Sequence, residues 1–193
     1  MPVEKSPTRS PRRPRSDGER NRLRLIEAAK SEFVRSGSAA TLDQIARAAD
    51  VGIGTLYRHF PTRDALIEAV YRQETDRLID AAARLMAERE AMAALREWLL
   101  LFVDFLDAKQ GMAAALDTLI DGPDALYRTT PSRLAAPIGA LVDHAARAGT
   151  LRSEIEPLDL LRAIAGVAKV RHAAYSKDAA VRMVDLLLRG MQA

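Results

Sequence analysis

The sequence predicts an all-α protein of about nine or ten helices, a small three-helix unit at the N-terminal end and a larger helical body behind it. Three observations carry that expectation. The chain of 193 residues is 48% hydrophobic but only 5% aromatic, and it is rich in Ala, Leu and Arg, which suits helices. Apolar residues recur at helical spacing from Leu25 to Met191, between capping residues, glycines and prolines that punctuate each segment. No apolar run approaches the roughly 18 residues of a membrane-spanning helix, and no apolar leader opens the chain, so a soluble cytoplasmic protein is expected.

Other properties narrow the function. The absence of cysteine excludes disulfides and thiolate metal sites. Net charge is +3, but it is unevenly spread: up to Arg63 there are 13 Lys/Arg against 7 Asp/Glu, and beyond it 16 against 19. A basic end on a slightly acidic body is the asymmetry of a protein that meets a polyanion at one end.

Residues 1–15 hold four prolines and five Lys/Arg with almost no apolar side chains, and read as a disordered basic tail. Ser16 or Asp17 is expected to cap the first helix, with Glu19 closing a capping box if Ser16 is the cap. Leu25, Ile26, Ala29 and Phe33 form its inner stripe, and Gly37 is placed to end it in a left-handed conformation. Thr41 then caps a second helix of about nine residues, its capping box completed by Gln44. Leu42, Ile45, Ala46 and Ala49 share one face of that helix.

The chain turns at Asp50-Val51-Gly52, and a third short helix starts at Gly52 or Ile53. Leu56 and Phe60 point inward with Val51, which leaves Thr55, Tyr57, Arg58 and His59 outside. Two short helices about a tight glycine-containing turn form the helix-turn-helix plan, whose second helix enters the DNA major groove. Hydroxyls, Arg and His can donate to phosphates or base edges, and Ile53 can touch a thymine methyl.

Here the sequence resembles a known family. Leu25-Ile26, Ala28-Ala29, Phe33, Gly37, Thr41, Ile45-Ala46, Ala49, Val51, Gly54-Thr55-Leu56-Tyr57, His59-Phe60 and Arg63-Asp64-Ala65-Leu66 are similar, in register over about 45 residues, to the DNA-binding domain of tetracycline-repressor (TetR/AcrR) regulators. Three positions depart from that pattern: Asp50 stands where Gly is usual, Gly52 where Ser is usual, and Arg63 where Lys is usual.

Beyond Pro61, Thr62 is the expected N-cap of a fourth helix with no Gly or Pro before about Glu90, long enough to link the DNA end to the body. Ala91–Lys109 reads as a central helix buried on most sides. Gly111 is expected to start another apolar helix through Met112, Leu116, Leu119 and Ile120 to Gly122. Asp104, Asp107, Asp117 and Asp121 read as solvated edges of these two helices. Pro123 to Pro137 reads as an irregular stretch, with a helix start at Thr130-Pro131 and a kink at Pro137. The helix then runs to Gly149. After a connector at Glu154-Ile155-Glu156, Pro157 opens a helix lined by Leu158, Leu161, Ile164, Ala165 and Ala168. Ser176 caps the last helix, striped by Val181, Val184, Leu187, Leu188 and Met191.

The resemblance implies a homodimeric, ligand-responsive transcriptional regulator, usually a repressor, that binds a palindromic double-stranded operator. Residues 16–66 would form the DNA-binding domain and 67–193 the body that holds an unidentified small-molecule effector. The expected DNA contacts are Thr41 and Arg63 on phosphate, Gln44 at the front of the supporting helix, and Gly52, Ile53, Gly54, Thr55, Tyr57, Arg58 and His59 on or beside the recognition helix. Trp98, Phe102, Phe105, Met112, Leu116 and Tyr127 are the candidate lining of a ligand cavity. Dimerisation through the last two helices would use Leu161, Ile164, Ala165, Val181, Val184, Leu187, Leu188 and Met191.

No catalytic, metal or cofactor pattern accompanies these residues. Gly52-x-Gly54 follows no strand and has Tyr57 at the third glycine position of a nucleotide loop. His59, His144 and His172 are too scattered for a metal motif. A DNA-silent helical interaction protein and an enzyme are the two competing classes, and salt-sensitive, sequence-selective DNA retention separates them from the regulator.

Overall fold

Local capping chemistry, read in chain order, decides most of the architecture. A computed structural model describes residues 14–152, 155–169 and 176–193. Nine α-helices occur among them: α1 (Pro14–Ser36), α2 (Leu42–Ala48), α3 (Ile53–His59), α4 (Arg63–Glu88), α5 (Ala91–Gly111), α6 (Ala113–Leu116), α7 (Asp124–Arg147), α8 (Pro157–Lys169) and α9 (Ser176–Gly190). Up to residue 13 the expected disordered tail lies outside the described residues, as do Glu154 of the connector and the side chain of Ser176.

The first helix begins at Pro14, so Ser16 and Asp17 lie inside it and neither is its cap. Proline suits a first turn because its missing N–H would have had no partner there. Gly37 ends the helix at φ 53°, as its position suggested. A side chain there would also press on the body, since an added Cβ would lie 3.1 Å from the Ala114 Cβ. Thr41 and Gln44 form the expected capping box: the Gln44 N–H donates to the Thr41 hydroxyl at 3.3 Å and the Thr41 N–H to the Gln44 amide oxygen at 2.9 Å. The box is worth about 1 kcal/mol to a helix of only seven residues.

Leu25, Ile26, Ala29 and Phe33 of α1, Ile45, Ala46 and Ala49 of α2, Leu56 of α3, Phe60, and Leu66, Ile67 and Val70 of α4 are all buried in one core. Thr62 caps α4, accepting from the Ala65 N–H at 3.0 Å. This helix then runs 26 residues and packs on α1 at its start and on α5 and α7 further along. The α5 helix is central, with Trp98, Leu99, Phe102, Val103 and Phe105 buried.

Two stretches differ from the sequence expectation. Gly111 closes α5 and does not open a long helix. It sits where α5 meets α1, its would-be Cβ 3.1 Å from Val34 Cγ1, so its role is close approach and not a turn. Only the short α6 follows, and Ile120 ends up 91% exposed. Conversely, Asp124–Arg147 is a single helix with Pro131 and Pro137 inside it, and no second start occurs at Thr130-Pro131. Pro131 is exposed and Pro137 half-buried, while the stripe Leu126, Thr130, Leu134, Ile138, Leu141 and Ala145 stays buried throughout. Packing of that stripe on α4 and α5 outweighs two lost hydrogen bonds.

The end of the chain returns to the turn after α7. Leu151 and Gln192 form an isolated antiparallel bridge, and the Arg152 N–H donates to the Met191 carbonyl at 2.8 Å. Among the described residues no helix is long and apolar enough to cross a membrane.

Candidate nucleic-acid interface

The turn between α2 and α3 sets how the third helix is presented. Asp50 adopts φ 53°, the only described non-glycine residue with positive φ. This explains why glycine is usual there: an L side chain in that region is strained. Its carboxylate, almost fully exposed, lies 3.6 Å from the Arg24 guanidinium, a surface pair of little energetic weight. Asp50→Gly is therefore expected to raise unfolding stability by about 1 kcal/mol and to tighten DNA binding by removing a negative charge from the basic end. Thermal melting and operator titration check both; a less stable variant would mean the Arg24 pair outweighs the strain.

Gly52 supplies the extended N-cap of α3. Ile53 and Tyr57 are 37% and 49% exposed, on the outward side of a helix whose buried residue is Leu56. An added Cβ at Gly54 would find no heavy atom within 4 Å, so the helix backbone is bare there. Arg58 folds along the helix, donating through Nε to the Gly54 carbonyl at 3.2 Å and through Nη2 to the Thr55 hydroxyl at 3.3 Å. Thr55 and His59 are half-buried. Thr41 and Gln44 stand exposed at the front of α2.

Arg63, expected on phosphate, is held by the protein's own backbone. Its guanidinium donates to the carbonyls of Ala40 and Ser38 and lies 5.1 Å from the Phe33 ring centre. It thereby ties the start of α4 to the loop before α2. A planar fork reaches both carbonyls and an ammonium cannot. Arg63→Lys is expected to lower stability by about 1–2 kcal/mol although charge is kept; an unchanged melting curve would show that the tie is not structural.

A cavity of about 180 Å³ opens in the body between α4, α5, α7 and α8, lined by Tyr71, Phe102, Phe105, Leu106, Lys109, Tyr127, Thr130, Pro131, Leu134, Leu158, Leu161, Arg162 and Ala165. Of the six residues expected there, Phe102, Phe105 and Tyr127 line it. Trp98, Met112 and Leu116 do not: they are fully buried in the packed core, and the Trp98 indole donates to the Leu78 carbonyl at 2.8 Å. Trp98 stacks on Phe102, centroids 6.2 Å apart, so it stands one ring away from the cavity. The sequence reading missed Tyr71, Lys109, Thr130, Leu134 and Arg162. The repeat of Leu126, Thr130 and Leu134 at four-residue spacing was the available signal, obscured by Pro131.

Of the dimer candidates, Val181 and Leu187 are half-buried against the core. Ile164, Val184, Leu188 and Met191 are buried within the chain, and Leu161 and Ala165 face the cavity. The stripe serves the protein's own core because α8 and α9 pack on each other and on α5. What α9 leaves outside is Leu186, 57% exposed, near half-buried Met183. From α8 it is Ala163 and Gly166.

With this geometry in place, comparison with known proteins is decisive. Residues 25–70 match the bacterial regulatory proteins of the tetR family, and residues 90–193 match the C-terminal domain of SbtR-like transcriptional regulators. The chain belongs to the TetR family. It is therefore a DNA-binding transcriptional regulator, not an enzyme. A crystal structure of the TetR regulator SCO0520 from Streptomyces coelicolor is 41% identical, with TM-score 0.79 over 89% of this chain and 98% of that one. A TetR regulatory protein from Mycobacterium vanbaalenii is 30% identical, with TM-score 0.74 over 93% and 99%. The HTH-type regulator SrpR of Pseudomonas putida is 45% identical over 60 residues, 31% of this chain and 28% of SrpR. The HTH-type regulator SAR0097 of Staphylococcus aureus is 27% identical over 109 residues, so this TetR-family chain spans about 56% of that relative.

Proposed function

We propose that the protein is a homodimeric repressor that leaves a near-palindromic operator when a small molecule fills the cavity between α4, α5, α7 and α8. The observation that supports this reading best is the double engagement of α4. Its first residue, Arg63, holds the loop before α2, and Tyr71 on the same helix walls the cavity. A rigid helix that touches both places converts a change in cavity shape into a change in the tilt of α3.

In this reading residues 16–66 form the DNA-binding domain and 67–193 the body, and the protein works in the cytoplasm. Ile53, Gly54, Thr55 and Tyr57 meet the major groove, with Arg58 and His59 at its edge and Thr41, Gln44, Gly52 and Arg63 positioned against the backbone. Two copies join through α8 and α9 about a two-fold axis, along the face that carries Ala163, Gly166, Met183 and Leu186.

Reciprocity supplies the test. An effector that weakens operator binding must itself bind more weakly, by the same factor, once the operator is present. Titrating a cavity ligand with and without operator, and operator with and without ligand, gives two ratios that are expected to agree. A ligand that binds equally well in both conditions sinks the release mechanism.

A further inference from the structure

Four aromatic rings run in sequence along the cavity wall. Tyr127 meets Tyr71, Tyr71 meets Phe105 and Phe105 meets Phe102, with neighbouring ring centres 6.0, 5.9 and 6.2 Å apart. Leu134 and Leu161, both buried, extend this apolar lining. Rings and branched aliphatic side chains favour an apolar body.

Tyr71, Thr130, Lys109 and Arg162 are polar groups of the lining that the protein itself already engages. The Thr130 hydroxyl donates to the Leu126 carbonyl at 2.8 Å, so the Tyr71 hydroxyl, 2.8 Å from that of Thr130, is the donor of their pair. The Lys109 ammonium lies 3.5 Å from the centre of the Tyr127 ring, and the exposed Arg162 pairs with Asp159 on its own helix. Neither is an open cation. Among the described residues no buried side-chain nitrogen or oxygen lacks a hydrogen-bond partner, so no orphaned polar group waits for a ligand's head.

Charge is disfavoured in both signs. Burial, helped by Tyr71 and the carboxylates of Asp117 and Asp124, pushes the Tyr127 phenol up to about 12, and burial raises that of Tyr71 as well. Surroundings that keep two phenols neutral resist a ligand's anion by the same loss of hydration. A cation meets Lys109 and Arg162, and among the described residues no carboxylate side chain lines the cavity to receive it.

Resting on the reading of this cavity as the effector site, we infer that it selects a small uncharged molecule with an aromatic or compact aliphatic body and no hydrogen-bonding head. The size agrees. A cavity of about 150 Å³ already admits benzene, so one of about 180 Å³ suits a single substituted ring.

Calorimetric titration of the full chain with toluene, benzyl alcohol, benzoate and benzylamine tests the inference. These probes keep one ring and change only what it carries. Toluene is expected to bind about fivefold or more tightly than benzyl alcohol, whose hydroxyl would be buried without a partner. Its advantage over either charged probe is expected to reach at least about tenfold. Ala165→Leu, which puts methyl groups into the hollow, is expected to weaken toluene binding at least about tenfold. Thr130→Val takes away the partner of Tyr71 and frees its donor, so the preference for toluene over benzyl alcohol is expected to shrink about fivefold. Should Thr130→Val not fold, the ranking of the four probes and Ala165→Leu decide. A charged probe that binds as tightly as toluene, toluene affinity unchanged in Ala165→Leu, a preference unchanged in folded Thr130→Val, or no toluene binding overturns the inference. The operator readout separates it from the reading beneath it. Release of DNA by benzoate and toluene alike leaves the effector site standing and removes the preference for an uncharged ligand. Selective toluene binding with unchanged operator affinity supports the ligand class and removes the cavity's role as an effector site.

Discussion

Leu186→Glu is expected to turn a stable dimer into monomers and to lower operator affinity by about a hundredfold or more. The chain is expected to stay folded, because Leu186 is 57% exposed and exposed substitutions shift stability by only about 0.5 kcal/mol. What the change adds is a charge on the outward face of α9, at the proposed two-fold axis, where it would meet its own copy. Two linked DNA-binding units gain roughly a hundred- to ten-thousandfold in avidity over one, and that gain disappears with the dimer. Sedimentation and operator titration on the same sample check it. A dimeric variant with unchanged affinity would place the interface elsewhere.

Tyr57→Ala is the second large effect. Tyr57 stands half-exposed on α3, with no partner role in the core, so its loss is expected to leave folding nearly unchanged. Specific binding should fall by about 1–3 kcal/mol, with a smaller effect on random DNA. Gly54→Ala sharpens the point. A Cβ there meets no protein atom within 4 Å, and alanine inside a helix is favoured over glycine by about 0.5–1 kcal/mol. Stability is thus expected to rise while operator affinity falls, and only a DNA surface against the bare backbone produces opposite signs. Titration against operator and random duplexes, beside thermal melts, distinguishes these outcomes. Equal losses on both duplexes would take base reading away from Tyr57.

The DNA-binding end was legible in the sequence because its signals are local. Thr41 with Gln44, Gly37, Gly52 and Thr62 each act within one helical turn, and the structure uses each of them. The body was legible only where the same held, as with α5 and the proline that opens α8. Gly111 and Pro131 misled for one reason. Each looks like a breaker, yet its environment is tertiary: Gly111 lies under Val34, and Pro131 stands at the exposed edge of the cavity, beside the buried stripe of its helix. The stripes of α8 and α9 were visible too, but a pattern of apolar residues does not say whether the surface they cover belongs to the same chain or to a second one. Most of the cavity lining was missed on the same account, since Tyr71, Lys109, Thr130 and Arg162 come together from four helices.

The central claim, that two copies of α3 read DNA across a two-fold axis, is tested most directly by footprinting the purified protein on its genomic DNA. The account predicts a protected near-palindrome whose half-site centres lie about 34–36 Å apart, or a multiple of that spacing. Protection should be lost in Leu186→Glu and weakened selectively in Tyr57→Ala. Protection of a single asymmetric site, unchanged in both variants, would contradict it.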